Sequence, residues 1–332
     1  MSVDSRSLSA FVNNYFREIL NKEDTTEVCY NGKNEIFSLD SKGKWTTYET
    51  KLDNKTALKV ATAISAVKNS EVSEDRPILS ATLDRSERVQ IVAPPATNGI
   101  TSITIRKPSY FKITMDEYEE QKIFEIASNR DKKIDTLLEF YKNEDYKNFI
   151  QSAVREGKTI IVSGATGSGK TTFMKTLIDY IPHSERIISI EDVEELVFTE
   201  HKNYVQLFYP SEAKTTDFLT AASLLKSCLR MKPDRIILAE LRGGETFDFI
   251  NIINSGHSGS ITSCHAGSVE ETFSRLELMT LQNPNGQKIP FDVIRKTLRS
   301  TIDIVIHLAD TEIGRRITEV YYKGYEDTKE AA

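Results

Sequence analysis

The sequence predicts an α/β fold in which a mostly parallel sheet flanked by helices follows a smaller α+β domain. Three observations predict it. The stretch Gly164-Ala-Thr-Gly-Ser-Gly-Lys170-Thr171 fits the phosphate-binding pattern G-x-x-x-x-G-K-[ST] without a mismatch. After it, short apolar runs that end in polar or acidic residues alternate with amphipathic segments, the signature of strands crossing over through helices. Before it, short alternating runs are separated by the turn pairs Asn31-Gly32 and Lys42-Gly43, the signature of an antiparallel meander.

In chain order, residues 7–21 place Leu8, Phe11, Val12, Tyr15, Phe16, Ile19 and Leu20 on one face of a helix. Strands are expected at 26–30, 35–39 and 44–48, a second amphipathic helix at 54–68, and further strands at 78–83, 88–92 and 101–105. Trp45, the only tryptophan, alternates with polar neighbours and reads as a packing residue. Arg88 opens one strand and Arg106 closes the next, so antiparallel pairing brings both guanidinium groups to one sheet end. Such a pair suits a phosphate, and two solvated surface arginines fit this segment equally well. Lys107-Pro108-Ser109 breaks the strand pattern, which divides the chain into an N-terminal α+β domain, 1–108, and a second domain, 109–332, with a helical connecting segment at 115–156.

The phosphate loop lies between a buried strand at 158–163 and a helix at 172–181. In that setting Gly164, Ala165, Thr166, Gly167, Ser168 and Gly169 curl the backbone so that amides face an anion. Lys170 reaches the β- and γ-phosphates of a nucleotide, the Thr171 hydroxyl binds Mg²⁺, and Thr172 continues into the helix. A second strand, 186–190, ends in Glu191-Asp192-Val-Glu194-Glu195. Parallel α/β sheets gather their chemistry at such carboxyl ends, where a carboxylate can orient or deprotonate a water or hold Mg²⁺ through its waters. A strand at 203–208 and a helix at 216–231 precede Asp234-Arg-Ile-Ile-Leu-Ala-Glu240, an apolar strand closed by an acid in the Walker B manner. Its distance of about 70 residues from the loop fits a RecA-like core in which the two strands are neighbours. The next strand, 260–264, delivers His265 to the same end, the position of a γ-phosphate sensor, while His257 reads as structural and Cys264 as core. Helices at 268–279 and 291–298, a strand pair at 302–308 and 316–322, and a frayed tail from 326 complete the reading.

Composition narrows the functional classes. The net charge is −6, which disfavours sequence-independent duplex-DNA binding. No run approaches the ~18 apolar residues of a membrane span. The opening residues lack a secretory core, so a cytoplasmic location is expected. Three scattered cysteines, Cys29, Cys228 and Cys264, have no metal spacing and are expected to be reduced.

Four boxes taken together carry a resemblance: the phosphate loop, Ile188-Ser-Ile-Glu191-Asp192-Val-Glu-Glu195, Leu229 through Glu240-Leu-Arg242, and Ser255-Gly-His257 through His265-Ala-Gly267. With the preceding 26–32 and 102–108 stretches, the chain resembles the traffic ATPases of bacterial type IV secretion systems. Those are the ATPases encoded by the last gene of the virB operon, within the secretion and pilus-retraction ATPase superfamily. The resemblance implies a homohexamer of stacked rings on the cytoplasmic face of the inner membrane, in contact with other secretion components. It would use ATP and Mg²⁺ to drive translocation of a protein or DNA–protein substrate, or pilus assembly, by domain motion. It further implies that ATP lies between the two domains of one subunit with Arg88 and Arg106 over the phosphates, Glu191 as proposed general base, Glu240 as Walker B acid and His265 as sensor. Ala239 stands where the family usually has glycine, and Ser263 where threonine is common; neither removes a functional group. A DNA helicase on the same core and a nucleotide-switched assembly scaffold are the competing readings.

Overall fold

The computed structural model describes residues 10–67, 72–109, 113–125, 136–214 and 217–330. Two sheets organise these residues. The first is fully antiparallel and six-stranded: β1 (Thr25–Tyr30), β2 (Glu35–Asp40), β3 (Trp45–Glu49), β4 (Ile78–Thr82), β5 (Arg88–Val92) and β6 (Ser102–Arg106), in the order β3-β2-β1-β6-β5-β4. Its alternating strands bury Val28, Tyr30, Ile36, Val89, Ile91, Ile103 and Ile105 against the helix Asn54–Val67 and the leading helical turns, residues 10–15 and Arg17–Leu20. The parts of the expected helices at 7–9 and at Lys68 lie outside the described residues.

The second sheet has seven strands: β7 (Ile160–Gly164), β8 (Ile187–Glu191), β9 (Tyr204–Phe208), β10 (Arg235–Leu241), β11 (Ile261–Cys264), β12 (Ile304–Thr311) and β13 (Gly314–Tyr322). The order is β13-β12-β7-β11-β10-β8-β9, parallel throughout except for β13, which pairs antiparallel with β12. The strands β7 and β8 are buried at every position, as expected of strands covered by helices on both faces. One expectation is corrected. The loop strand β7 and the acid strand β10 are not neighbours, because β11 inserts between them and pairs with both. The insertion places His265, which follows β11, between the lysine and the acid.

Several helices differ from the sequence reading. The expected helix at 216–231 is shorter, Ala221–Cys228, because Thr220 caps it, its side chain accepting from Ser223 N; Thr216 lies outside the described residues. The connecting segment contains Met115–Glu120, Thr136–Lys142 and Tyr146–Arg155, with 126–135 outside the description. Glu245–Asn254 is a helix the sequence reading passed over; it buries Phe249, Ile250, Ile252 and Ile253. The expected frayed tail is instead the helix Lys323–Glu330, held by Tyr325 against the Tyr141 ring at 5.0 Å, with 331–332 undescribed.

The two sheets meet through apolar packing, with Val92 and Ala96 buried in the core of the second sheet, and through polar contacts. Arg186, fully buried, donates to Met231 O at 2.9 Å, to Asn31 Oδ1 at 2.9 Å and to Asn203 Oδ1 at 2.5 Å. Trp45 is more than a packing residue: its Nε1 donates to Asp234 Oδ2 across the junction at 2.9 Å. Residues after β5 extend the edge of β9, where Phe208 N donates to Ala96 O at 2.9 Å and Thr97 bridges Leu207. This docking puts the first sheet on the β8–β9 flank and beside the helix Ala221–Cys228, with Gln90 donating to Ser227 at 2.8 Å.

Candidate functional site

The loop closing β7 is shaped by its glycines. Gly164 tolerates no side chain, since a Cβ there would come within 2.2 Å of Leu308 O on the adjacent β12. Gly167 and Gly169 have φ of 79° and 95°, a left-handed conformation that disfavours other residues. Gly169 caps the helix Lys170–Ile178, so the helix start and its free amides open onto the loop. The Lys170 ammonium is nearly buried. It donates to Gly164 O and Ala165 O, both at 2.9 Å, and to His265 Nδ1 at 3.3 Å. His265 Nε2 lies 2.9 Å from Glu240 Oε1. With a lysine donating to Nδ1, the proton of a neutral ring belongs on Nε2, and the ring bridges cation to carboxylate. Burial lowers the pKa of His265; Glu240 opposes this and Lys170 adds to it, so the neutral form is favoured. Burial also lowers the pKa of Lys170, against the pull of Glu240.

Glu240 reaches this chain through a bulge. The β10–β11 register slips between Leu238 and Leu241, and Ser263 Oγ donates to Ala239 O at 2.7 Å across the slip. Both departures from the usual family residues therefore sit at one bulge, with the hydroxyl still engaged. Arg242 then ties Glu240 (2.7 Å) to Asp192. Although burial opposes its charge, hydrogen bonds to these two carboxylates raise its pKa further.

A cavity of about 350 Å³ is lined by Thr166, Gly167, Gly169, Lys170, Thr171, Thr172, Asp192, Glu195, Glu240, Arg242, His265 and Arg315, among others. Three of the expected site residues lie off this cavity in this chain. Glu191 is not on this cavity. Its carboxylate is fully buried and accepts four hydrogen bonds: from Ser189 Oγ (2.6 Å), Gln206 Nε2 (3.2 Å), Glu195 N (3.0 Å) and Leu196 N (2.8 Å). As the last residue of β8 it points into the sheet, and the next residue, Asp192, turns to the cavity. Arg88 and Arg106 do pair across β5 and β6 at one sheet end. They line a different cavity, of about 290 Å³, with Arg230, Gln90 and Ser80, because the first sheet docks away from the loop. Arg106 is exposed and faces the buried Glu27 at 3.6 Å; burial raises the pKa of Glu27 to about 7, against the pull of Arg106. A larger cavity of about 760 Å³, lined by Trp45, Asp234 and His257, lies at the opposite strand ends, away from the loop.

Sequence reasoning missed Glu195 and Arg315. Glu195 was visible as one acid among several. Arg315 sits near the start of β13, just past a hairpin turn, with no local signal, and only the pairing of β12 with β7 brings it to the loop.

The residues present fit a nucleoside triphosphate with Mg²⁺. The cradle excludes side chains at Gly164, and Ser168 Oγ is buried without a partner. Among the described residues no group of three or more His, Cys, Asp or Glu side chains is arranged to hold a metal alone. Thr171 and Glu240 make a sparse donor set of the kind that suits Mg²⁺, an ion bound chiefly by phosphates and water.

A parallel sheet in this order, with the glycine loop after β7 and an acid after a neighbouring-but-one strand, defines a RecA-like P-loop protein. The family described as "Type II/IV secretion system protein" matches residues 121–319. The chain is 47% identical over 317 residues to the type IV secretion system protein VirB11 of Brucella abortus, covering 92% of this chain and 87% of that one. It is 40% identical to the type IV secretion system protein PtlH of Bordetella pertussis, covering 92% of each. The crystal structure of the VirB11 ATPase from the Brucella suis type IV secretion system, in complex with sulphate, superposes with a TM-score of 0.90 at 44% identity, covering 99% of this chain and 97% of that one. The chain belongs to the VirB11 family of type IV secretion ATPases. Among the described residues no helix is long and apolar enough to cross a membrane.

Proposed function

We propose that this chain hydrolyses ATP with Mg²⁺ and, as a homohexamer, converts hydrolysis into domain motion that drives substrate translocation or pilus assembly. The contact chain Lys170–His265–Glu240 beneath a glycine cradle carries the reading. Lys170, freed from the loop carbonyls, neutralises charge on the transferred phosphoryl group. Thr171 and, through water, Glu240 would hold Mg²⁺, which supplies charge neutralisation across the phosphates. Glu240 is the better-placed carboxylate for activating water, with Asp192 beside it. Glu191 then serves as a positioning residue that fixes the backbone of 195–196. His265, bridging Lys170 and Glu240, is suited to register the γ-phosphate.

Arg88 and Arg106 line a cavity separate from the loop of their own chain. We therefore assign them to the phosphates held by another subunit of the ring. Residues 1–108 and 109–332 are proposed as the two moving bodies, joined by polar contacts around Arg186 and by Val92 and Ala96 packed into the second core. Association with other secretion components on the inner membrane face is part of the same proposal, supported by the likeness to type IV secretion system proteins. Phosphate release by the full chain, with native mass measured in parallel, tests the reading. A sixfold assembly whose turnover stops on chelating Mg²⁺ supports it; a monomer without turnover at saturating ATP overturns it.

A further inference from the structure

The β12–β13 hairpin turns through Glu312 and Ile313 into Gly314, whose φ is 92°, and Thr311 Oγ1 donates to Gly314 O at 2.6 Å, which fixes the turn. Because β12 runs parallel to β7 with Leu308 opposite Gly164, the turn projects beyond the sheet at the phosphate-loop end. Arg315, the first residue after the turn, lays its side chain over Gly169. A Cβ built there would lie 3.3 Å from Arg315 Cδ, 3.7 Å from Nη1 and 3.8 Å from Nε.

The charge balance of the cavity makes this arginine distinctive. Lys170 is occupied by two carbonyls and an imidazole, and Arg242 by two carboxylates. Arg315 faces Asp310 across the hairpin, yet among the described residues no hydrogen bond or ion pair engages its guanidinium. An exposed guanidinium over the amides of a phosphate cradle is placed for an anion.

We propose that Arg315 is a nucleotide-binding residue that contacts the α- and β-phosphates. The assignment rests on the loop cavity being the ATP site. It follows from the position over Gly169: loop amides cradle the α- and β-phosphates, whereas the γ-phosphate lies toward Lys170 and the acids. Arg315 therefore favours ATP and ADP alike, unlike a γ-phosphate sensor.

Calorimetric titration of ADP and of ATP, with Mg²⁺, into full-length parent, Arg315→Met, Arg315→Gln and Lys170→Ala tests this. Methionine keeps most of the stem that packs on Gly169 and removes the charge; glutamine covers the case in which an exposed methionine aggregates. Either substitution is expected to raise both dissociation constants by about tenfold, the weight of one charge-assisted hydrogen bond at an exposed site. A change of less than about twofold, or a loss confined to ATP, overturns the proposal. If Lys170→Ala also binds both nucleotides like the parent, the site assignment itself fails. If Lys170→Ala loses binding and the Arg315 variants do not, only the role of Arg315 fails.

Discussion

At the loop cavity Lys170, His265, Glu240, Arg242 and Asp192 form one connected run of contacts, in which the imidazole bridges Lys170 to Glu240 and Arg242 pairs with both carboxylates. At the arginine cavity Arg88, Arg106 and Arg230 converge with far less compensation. Arg230 donates to the Ser80 hydroxyl at 2.7 Å, and Arg106 faces Glu27, 3.6 Å away, whose buried carboxyl is driven toward its neutral form. One cavity is preorganised and nearly neutral. The other carries positive charge with little acid to balance it, so a polyanion held elsewhere suits it.

The sharpest way to break this comparison is to remove the loop cation. Lys170→Ala should lower ATP turnover by ~10²–10³ or more, since it deletes a preorganised charge at the reacting phosphate. Retention of a tenth of the parent rate in a phosphate-release assay contradicts the site assignment. Glu240→Gln should follow, with a loss of about 10² and ATP binding preserved in a filter or calorimetric assay. Normal turnover there would move the acid chemistry to Asp192 or Glu195.

Glu191→Gln separates positioning from chemistry. The amide cannot accept from all four present donors, and a buried mismatch costs about 1–3 kcal/mol. A melting point lowered by several degrees is expected, with turnover within about tenfold of the parent. A loss of turnover matching Glu240→Gln with no change in melting would return Glu191 to the chemistry.

The smallest effect concerns Glu27. Its folded pKa, about 7, exceeds the ordinary 4.5, so between those values the folded chain binds more protons than the unfolded one. Its contribution is complete below about pH 4.5 and is lost as pH rises through about 7. Chemical denaturation at pH 5 and pH 8 should show that Glu27→Gln loses less stability over this interval than the parent. An unchanged difference would mean that Glu27 is already ionised beside Arg106.

Much of this was legible in the residues. The loop, the Walker B acid and His265 are local signals, because strand tips and glycines announce themselves in a few consecutive residues. The antiparallel meander and the Arg88–Arg106 pairing were likewise readable from turns and alternation. Strand order was not: nothing in β11 says that it inserts between β7 and β10. The side-chain direction of Glu191 depends on Gln206 from β9, and the reach of Arg315 on the pairing of β12 with β7. The placement of the arginines on a second cavity is set by how the sheets dock, a property of contacts spread over Asn31, Arg186, Asn203, Val92 and Ala96.

The central claim is that the two cavities complete each other between subunits, and mixing two inactive variants tests it directly. Lys170→Ala keeps its arginines and Arg106→Ala keeps its phosphate loop. If an arginine acts on a neighbouring subunit, an equimolar co-assembled mixture regains activity up to about a quarter of the parent rate, the share of complete interfaces in a randomly filled closed ring. Phosphate release from the mixture that stays at the level of the two separate variants would contradict the claim and return Arg106 to its own chain or to the surface.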